Sequence, residues 1–330
     1  MPNRYDITHT TVYRYNKPVT FGLHRVMFRP RDSHDMRVLA TDLQVSPQAD
    51  IRLIQDPHSN SIALVQPRGE ATELRIVCQS TIEIVPAGDD VLALEPAAEF
   101  LPFAYSVQDR LDLEHYLRPH HDDPDGKLIQ WALQFLRDGE SRRTRDVLAR
   151  MNAHIGKTLT YAARDDEGTQ TPLQTLELGS GTCRDYALLM MEALRRLGIA
   201  TRFVSGYLYD EVLDPAPALP AVAMPAAARA VPGDAAKAPR VVAAPAEPAT
   251  QAAPVSGAGT THAWLHAYLP GAGWVAFDPT NNLVGTQHLI RVGVARDPAL
   301  AVPVSGSWFG AADAYEGLEA TVVVRRVSPA

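Results

Sequence analysis

The chain has 330 residues, 46% of them hydrophobic and 21% charged, and a formal net charge of −7. That length gives room for about two domains, and mild acidity without a long basic run excludes the electrostatic footprint of a nucleic-acid binder. No run approaches the roughly 18 consecutive apolar residues of a membrane span, and the opening Met1-Pro2-Asn3-Arg4-Tyr5-Asp6 has no apolar signal-peptide core, so a cytoplasmic protein with no membrane partner is expected.

In chain order, Tyr5–Tyr15, Arg37–Val45, Asp50–Gln55, Ser61–Gln66 and Glu73–Val85 are β-rich runs separated by Pro, Asp, Asn and Gly. This spacing predicts an antiparallel β-sandwich over residues 1–90. Within it, Asp56-Pro57-His58-Ser59-Asn60 is the polar loop of a hairpin between Ile51–Ile54 and Ile62–Val65. Cys78, inside the alternating run Arg75–Gln79, reads as core packing.

A second domain, 91–330, has mixed texture. Leu128, Trp131, Leu133 and Phe135 mark a helix over Lys127–Arg137, and Val147, Leu148, Met151 and Ile155 mark another over Arg145–Ile155. The clearest helix begins at Cys183, where Ala187, Met190, Met191, Leu194 and Leu197 form an apolar stripe that stops at Gly198. Thr201–Tyr209, His262–Leu269, Gly273–Phe277, His288–Ala295 and Ala320–Val327 have strand character. Residues 211–260 hold 18 Ala and 9 Pro and no aromatic side chain. That composition buries too little apolar surface to offset its ordering entropy, which predicts a disordered insertion within the second domain.

Cys183 follows Gly179-Ser180-Gly181-Thr182 and opens the amphipathic helix. At a helix N-terminus, backbone N–H groups and the helix dipole stabilise a thiolate, and the same N–H groups can hold the oxyanion formed when sulfur attacks a carbonyl. The Cys183 N–H is the oxyanion donor that the sequence names. With two cysteines there is no disulfide framework, and Cys183 with distant His and Asp residues is a candidate nucleophile.

In His262-Ala263-Trp264-Leu265-His266-Ala267-Tyr268-Leu269, alternation puts His262, Trp264, His266 and Tyr268 on one face. Pro270-Gly271-Ala272 then turns the chain into Gly273–Asp278. A three-residue turn sets Leu269 opposite Gly273 and Asp278 opposite Trp264, making Asp278 the diagonal neighbour of His262; a two- or four-residue turn puts Asp278 on the other face. The expected roles are His262 as general base, Asp278 as its orienting carboxylate and Trp264 as a shield against water.

Gly181-Thr182-Cys183-Arg184-Asp185-Tyr186-Ala187, Arg202–Leu208, Thr261-His262-Ala263-Trp264 and Phe277-Asp278-Pro279-Thr280-Asn281, in this order, resemble the blocks of bacterial transglutaminase-like proteins. Tyr5–Tyr13 with Pro18-Val19 and Phe28-Arg29-Pro30-Arg31 resembles their N-terminal sandwich, and Arg296-Asp297 with Pro303–Gly306 their C-terminal segment. The resemblance implies an α+β fold, in which an N-terminal antiparallel β-sandwich precedes a papain-like transglutaminase core with its cysteine helix packed on an antiparallel sheet. It also implies a Cys183–His262–Asp278 triad acting without cofactor or metal on a peptide or protein amide, through a thioester that a primary amine resolves. Hydrolysis of that thioester by water, as in a peptidase or amidase, is the alternative; a non-catalytic binding or scaffold protein is the second. Residues 211–260 depart from the family, whose connection there is shorter.

Other polar residues have local explanations. His120-His121-Asp122-Asp123-Pro124-Asp125 precedes a helix start, where acids are favoured, and lacks a calcium-loop spacing. Asp185, in the first turn after Cys183, reads as an anchor for that turn, and His266 as structural or substrate-side.

Overall fold

The computed structural model describes residues 2–85, 92–137, 141–163, 168–214, 259–286 and 288–327. The N-terminal part contains β1 (Asn3–Phe21), β2 (His24–Val26), β3 (Met36–Ser46), β4 (Ala49–Gln55), β5 (Ser61–Pro67) and β6 (Glu70–Ile84). Then come α1 (Val107–Asp112), α2 (Glu114–Leu117), α3 (Lys127–Leu133), α4 (Thr144–Thr158), β7 (Thr160–Tyr161), α5 (Pro172–Leu178), β8 (Ser180–Gly181) and α6 (Cys183–Arg196). The remaining strands are β9 (Thr201–Leu208), β10 (His262–Leu269), β11 (Gly273–Asp278), β12 (Leu283–Val284), β13 (Leu289–Ala295), β14 (Val304–Ser305), β15 (Trp308–Phe309) and β16 (Tyr315–Val327).

The anticipated strands and the helices led by Leu128, Val147 and Cys183 are all present. The short helix α5 is an addition, although its start is written in Thr171-Pro172-Leu173-Gln174: Thr171 and Gln174 form a reciprocal capping box, with Pro172 in the first turn.

Two antiparallel sheets form the sandwich. One has the order β15-β1-β6-β3 with β16 also on β1, and the other β14-β2-β5-β4. The last strands therefore leave the 91–330 unit to which the sequence reading assigned them: β16 pairs with β1 from Arg4↔Val327 to Tyr15↔Tyr315, and β14 pairs with β2. Alternation specifies which face of a strand is buried but not which distant edge it joins. Edge closure decides the second, since an unpaired β1 would expose a long row of N–H and C=O groups. Of the expected insertion 211–260, residues 215–258 lie outside the described residues. Its two ends do not: Glu211–Asp214 make a turn in which Asp210 accepts the Val212 N–H, and Gly259 O accepts the Val322 N–H of β16.

The second layer is an antiparallel sheet ordered β12-β11-β10-β9-β13. Ala263, Leu265, Ala267 and Leu269 of β10 join the main apolar core with Ala187, Met190, Met191 and Leu194 of α6. The helix is buried over nearly its whole length, including Glu192, whose carboxylate pairs with Arg195 at 2.8 Å and Arg196 at 2.8 Å and accepts the His120 and His121 N–H groups. A buried charge needs such saturation. Tyr5, Ile7, Ile82 and Ile84 of the sandwich belong to the same core cluster, so the sandwich packs directly on this layer.

If β14–β16 complete the sandwich, residues 1–90 expressed alone will show no cooperative thermal transition by circular dichroism. Supplying residues 304–327 through a short linker to the N-terminus will restore one.

Candidate active site

Cys183 is the first residue of α6, with Thr182 as its N-cap. The turn before it is held by Asp185, which is fully buried: one carboxylate oxygen accepts the Thr182 N–H at 2.8 Å and hydroxyl at 2.9 Å, and the other accepts the Gln170 N–H at 2.7 Å. A Cβ on Gly181 would lie 2.9 Å from that of Asp185, so this approach requires glycine. The parallel pair β7–β8 fixes the same turn from outside, with the Thr160 and Ala162 N–H groups donating to Gly179 and Gly181 carbonyls.

The hairpin adopts the three-residue turn. Leu269 faces Gly273 and Leu265 faces Phe277, and the next residue of β11, Asp278, meets His262 diagonally. Gly271 and Gly273 have φ of 91° and 70°, and a Cβ on Gly271 would lie 2.6 Å from Glu95 N; glycine supplies both the turn geometry and the room for residues 94–95.

His262 Nε2 donates to Asp278 Oδ2 at 2.8 Å, with both side chains excluded from solvent. Asp278 also accepts the Thr280 N–H at 3.0 Å, the Asn281 N–H at 3.4 Å and the Asn281 side-chain amide at 2.9 Å. With Nε2 committed, the ring's interaction with the Cys183 thiol falls to Nδ1, which makes no hydrogen bond of ordinary geometry. Such contacts are often loose before substrate binds.

Burial pushes the Cys183 thiol up, but the hydrogen bond and charge of His262, the Ala263 N–H and the charge of Arg184 outweigh it and hold it below the usual thiol range. Burial likewise opposes protonation of His262, yet the charge and hydrogen bond of Asp278, reinforced by the sulfur, raise it to about 10. Asp278 is pushed up by burial and pulled further down by His262, Asn281 and the Thr280 N–H. All three shifts favour one state, a thiolate–imidazolium pair backed by a carboxylate.

Trp264 is 1% exposed; its ring stacks on that of His262, 6.0 Å away at 27°, and packs with Val204, Leu208, Ala276 and Leu289. Gly206 makes room for it, since a Cβ there would lie 2.7 Å from the indole. His266 is buried further along the same face, with Arg202 donating to its Nδ1. Cys78 sits in the sandwich core against Ser80 and Thr41, its thiol pushed up by burial.

Sequence reasoning missed four contributors. Tyr161 of β7 lies near the Cys183 sulfur; burial and its interaction with that sulfur raise the phenol to about 12. Pairing of β7 opposite Gly181 brings it there, and no pattern within two residues of strand announces such a partner. Asn281, inside a quoted motif, supports Asp278. Behind it, Asn152 of α4 donates to Asn282 Oδ1 and Leu283 O, and Gly156, one turn on, lets the helix touch Pro279; their four-residue spacing marks one helix face.

This cysteine helix against an antiparallel sheet, with an imidazole–carboxylate pair on the facing hairpin, is the papain-like arrangement. The chain belongs to the transglutaminase-like superfamily: residues 5–83 match the bacterial transglutaminase-like N-terminal region and residues 130–279 the transglutaminase-like superfamily core. It is similar to an uncharacterised protein of Mycobacterium leprae, 24% identical over 93% of this chain and 94% of that one. It is also similar to one of Mycobacterium tuberculosis, 26% identical over 92% and 87%. A crystal structure described as a candidate cysteine protease from Cytophaga hutchinsonii covers 100% of this chain and 92% of its own at a TM-score of 0.64 and 17% identity, which shows the shared fold. Among the described residues no helix is long and apolar enough to cross a membrane.

The shifts give opposite expectations for the two thiols. Because Cys183 lies below and Cys78 above the ordinary range, iodoacetamide at pH 6 will alkylate Cys183 at least tenfold faster than Cys78, read by peptide mass spectrometry. Asp278→Asn, which removes the charge that keeps His262 protonated, will move the Cys183 alkylation midpoint to higher pH.

Proposed function

We propose that this protein is a cysteine acyltransferase acting on amides of peptides or proteins. One observation carries the proposal: the buried His262 imidazole is bonded to the Asp278 carboxylate at 2.8 Å, and its charge holds the buried Cys183 thiol at the head of α6 below the usual thiol range.

Cys183 Sγ attacks the amide carbonyl, and a tetrahedral oxyanion forms beside the Cys183 N–H at the head of α6, a donor of the kind that stabilises such charge. That attack forms the C–S bond; collapse of the oxyanion restores the carbonyl and breaks the C–N bond as His262 Nδ1 delivers its proton to the leaving nitrogen. Ammonia or an amine departs and a thioester remains. Asp278 keeps Nε2–H donating throughout, so Nδ1 alternates between proton donor and acceptor. Tyr161, brought opposite Gly181 by the β7–β8 pair, offers a further hydroxyl near the sulfur.

In the second half-reaction a primary amine, deprotonated by His262, attacks the thioester and yields a new amide; this is the transglutaminase-like outcome. Water in the amine's place gives a free acid and makes the enzyme an amidase or peptidase. The name of the Cytophaga structure, a candidate cysteine protease, supports testing that arm. Both outcomes are expected in the cytoplasm, where a reducing pool keeps the nucleophile free.

Incubating the protein with a Gln-containing peptide library, with and without a primary amine, tests the reading by mass spectrometry. The expected result is amine adducts that disappear in Cys183→Ala and fall by about a hundredfold or more in His262→Ala. Cleaved or deamidated peptides without adducts would assign hydrolysis, and no turnover with any peptide would favour a binding protein.

A further inference from the structure

Arg202 of β9 lies across from His266 of β10, on the sheet face that carries His262 but four residues further along β10, about 13 Å away at the rise of a strand. Its environment is unusual for a half-buried cation. Nε and Nη2 lie 3.3 and 3.1 Å from His266 Nδ1, and the guanidinium carbon stacks 4.2 Å from the centre of the Trp274 ring. Both partners are neutral. Because Nδ1 accepts, the His266 proton is on Nε2, and that nitrogen is buried with no hydrogen-bond partner among the described residues. Leaving such a donor unsatisfied is unfavourable, so the ring is held in an orientation that serves Arg202 at the expense of its own second nitrogen.

No carboxylate pairs with Arg202 among the described residues, and its remaining N–H groups have no acceptor there. A second arginine, Arg31, borders the same aromatic cluster, since His58 shares a hydrogen bond with the Tyr116 hydroxyl and the Tyr116 ring packs edge-on against Trp274. Arg31 donates to His58 O and Asn60 Oδ1, both at 2.8 Å, and makes no ion pair among the described residues. The nearby Asp56 is already taken by Arg25, by the Asn60 side chain and by the His58 and Asn60 N–H groups. Arg291, whose carbonyl accepts the Arg31 N–H, is neutralised by Asp35 at 2.8 Å. Burial and the charges of Arg31 and Arg291 together bring the Arg202 guanidinium down to about 9. Two guanidinium groups without a carboxylate partner of their own among the described residues therefore lie on one aromatic cluster, where the sandwich packs on the core sheet. Uncompensated charge in a poorly solvated place is unfavourable unless a counter-ion joins it.

We propose that this junction is an oxyanion-binding site, in which the free N–H edge of Arg202, held flat by Trp274 and oriented by His266, takes a carboxylate or phosphate group with Arg31 as the second cation. A stacked guanidinium presents two parallel N–H donors, the geometry that a planar carboxylate or a phosphate matches in bidentate fashion. The ring stacking holds Arg202 in place without neutralising it, leaving its charge for the ligand. The site stands independently of the acyl-transfer reading.

Isothermal titration of the full chain at low ionic strength, with sodium phosphate, N-acetylglycine and N-acetylglycinamide as separate probes, tests this. The expected result is saturable one-to-one binding of phosphate, N-acetylglycine or both, and none of the uncharged amide. Saturation by phosphate alone assigns a phosphoryl ligand, and by N-acetylglycine alone a carboxylate such as a peptide C-terminus. Arg202→Gln will weaken binding at least tenfold and Arg31→Gln severalfold, while Cys183→Ala binds as the native chain does. If Arg202→Gln fails to give a native melting transition, Arg31→Gln carries the comparison. Failure of the native protein to take up either anion, or unchanged affinity in the arginine variants, would overturn the proposal.

Discussion

The proposed chemistry depends on a carboxylate kept ionised where water does not reach it. Asp278 accepts four donors: the His262 imidazole, the Asn281 amide and the N–H groups of Thr280 and Asn281. Without them a carboxyl group so buried would take up a proton, His262 would lose the charge that keeps it protonated, and the thiol of Cys183 would return to an inert neutral state. The surrounding architecture keeps that carboxylate in place. Gly271 and Gly273 set the hairpin register, Asn152 and Gly156 brace the turn beyond Asp278, and the apolar face of β10 fixes the whole hairpin on α6.

Cys183, the proposed nucleophile, is held with comparable care. Asp185 closes the turn ahead of Cys183 from within, and the β7–β8 pair closes it from outside. At the far end of α6, Glu192 ties Arg195 and Arg196 to the backbone at His120 and His121. The polar run His120–Asp125 thus has a structural use: its N–H groups neutralise Glu192, and Asp123 caps the first turn of α3 through the Leu128 and Ile129 N–H groups. A helix fixed at both ends leaves its first residue little freedom, which is the preorganisation that an attacking sulfur requires.

Much of this was legible residue by residue. The stripe from Ala187 to Leu197 and the alternation from His262 to Leu269 report directly on burial, because side-chain period follows backbone geometry. The Pro-Gly-Ala-Gly turn was also legible as a choice among three loop lengths, one of which brings Asp278 to His262. Less was visible where function depends on contact between distant backbones. Tyr161 reaches the sulfur only because Thr160 and Tyr161 pair with Ser180 and Gly181, a ladder too short for any periodicity. Arg202 and Arg31 appear in the sequence only inside longer blocks, and His266 reads as structural or substrate-side; Arg202 meets His266 through β9–β10 pairing, and Arg31 comes near only because the sandwich docks on that sheet.

By itself, the sequence determined the local elements, the buried face of each, the cysteine at a helix start and the set of registers open to the hairpin, since all of these follow from short-range geometry and from apolar spacing. Only the tertiary structure decided which register is adopted, that β14–β16 return to the N-terminal sheets, and which groups surround each buried charge. Those are questions of pairing and solvation between segments tens to hundreds of residues apart, and they are settled by edge closure and by the cost of leaving a charge or a hydrogen-bonding group unpaired.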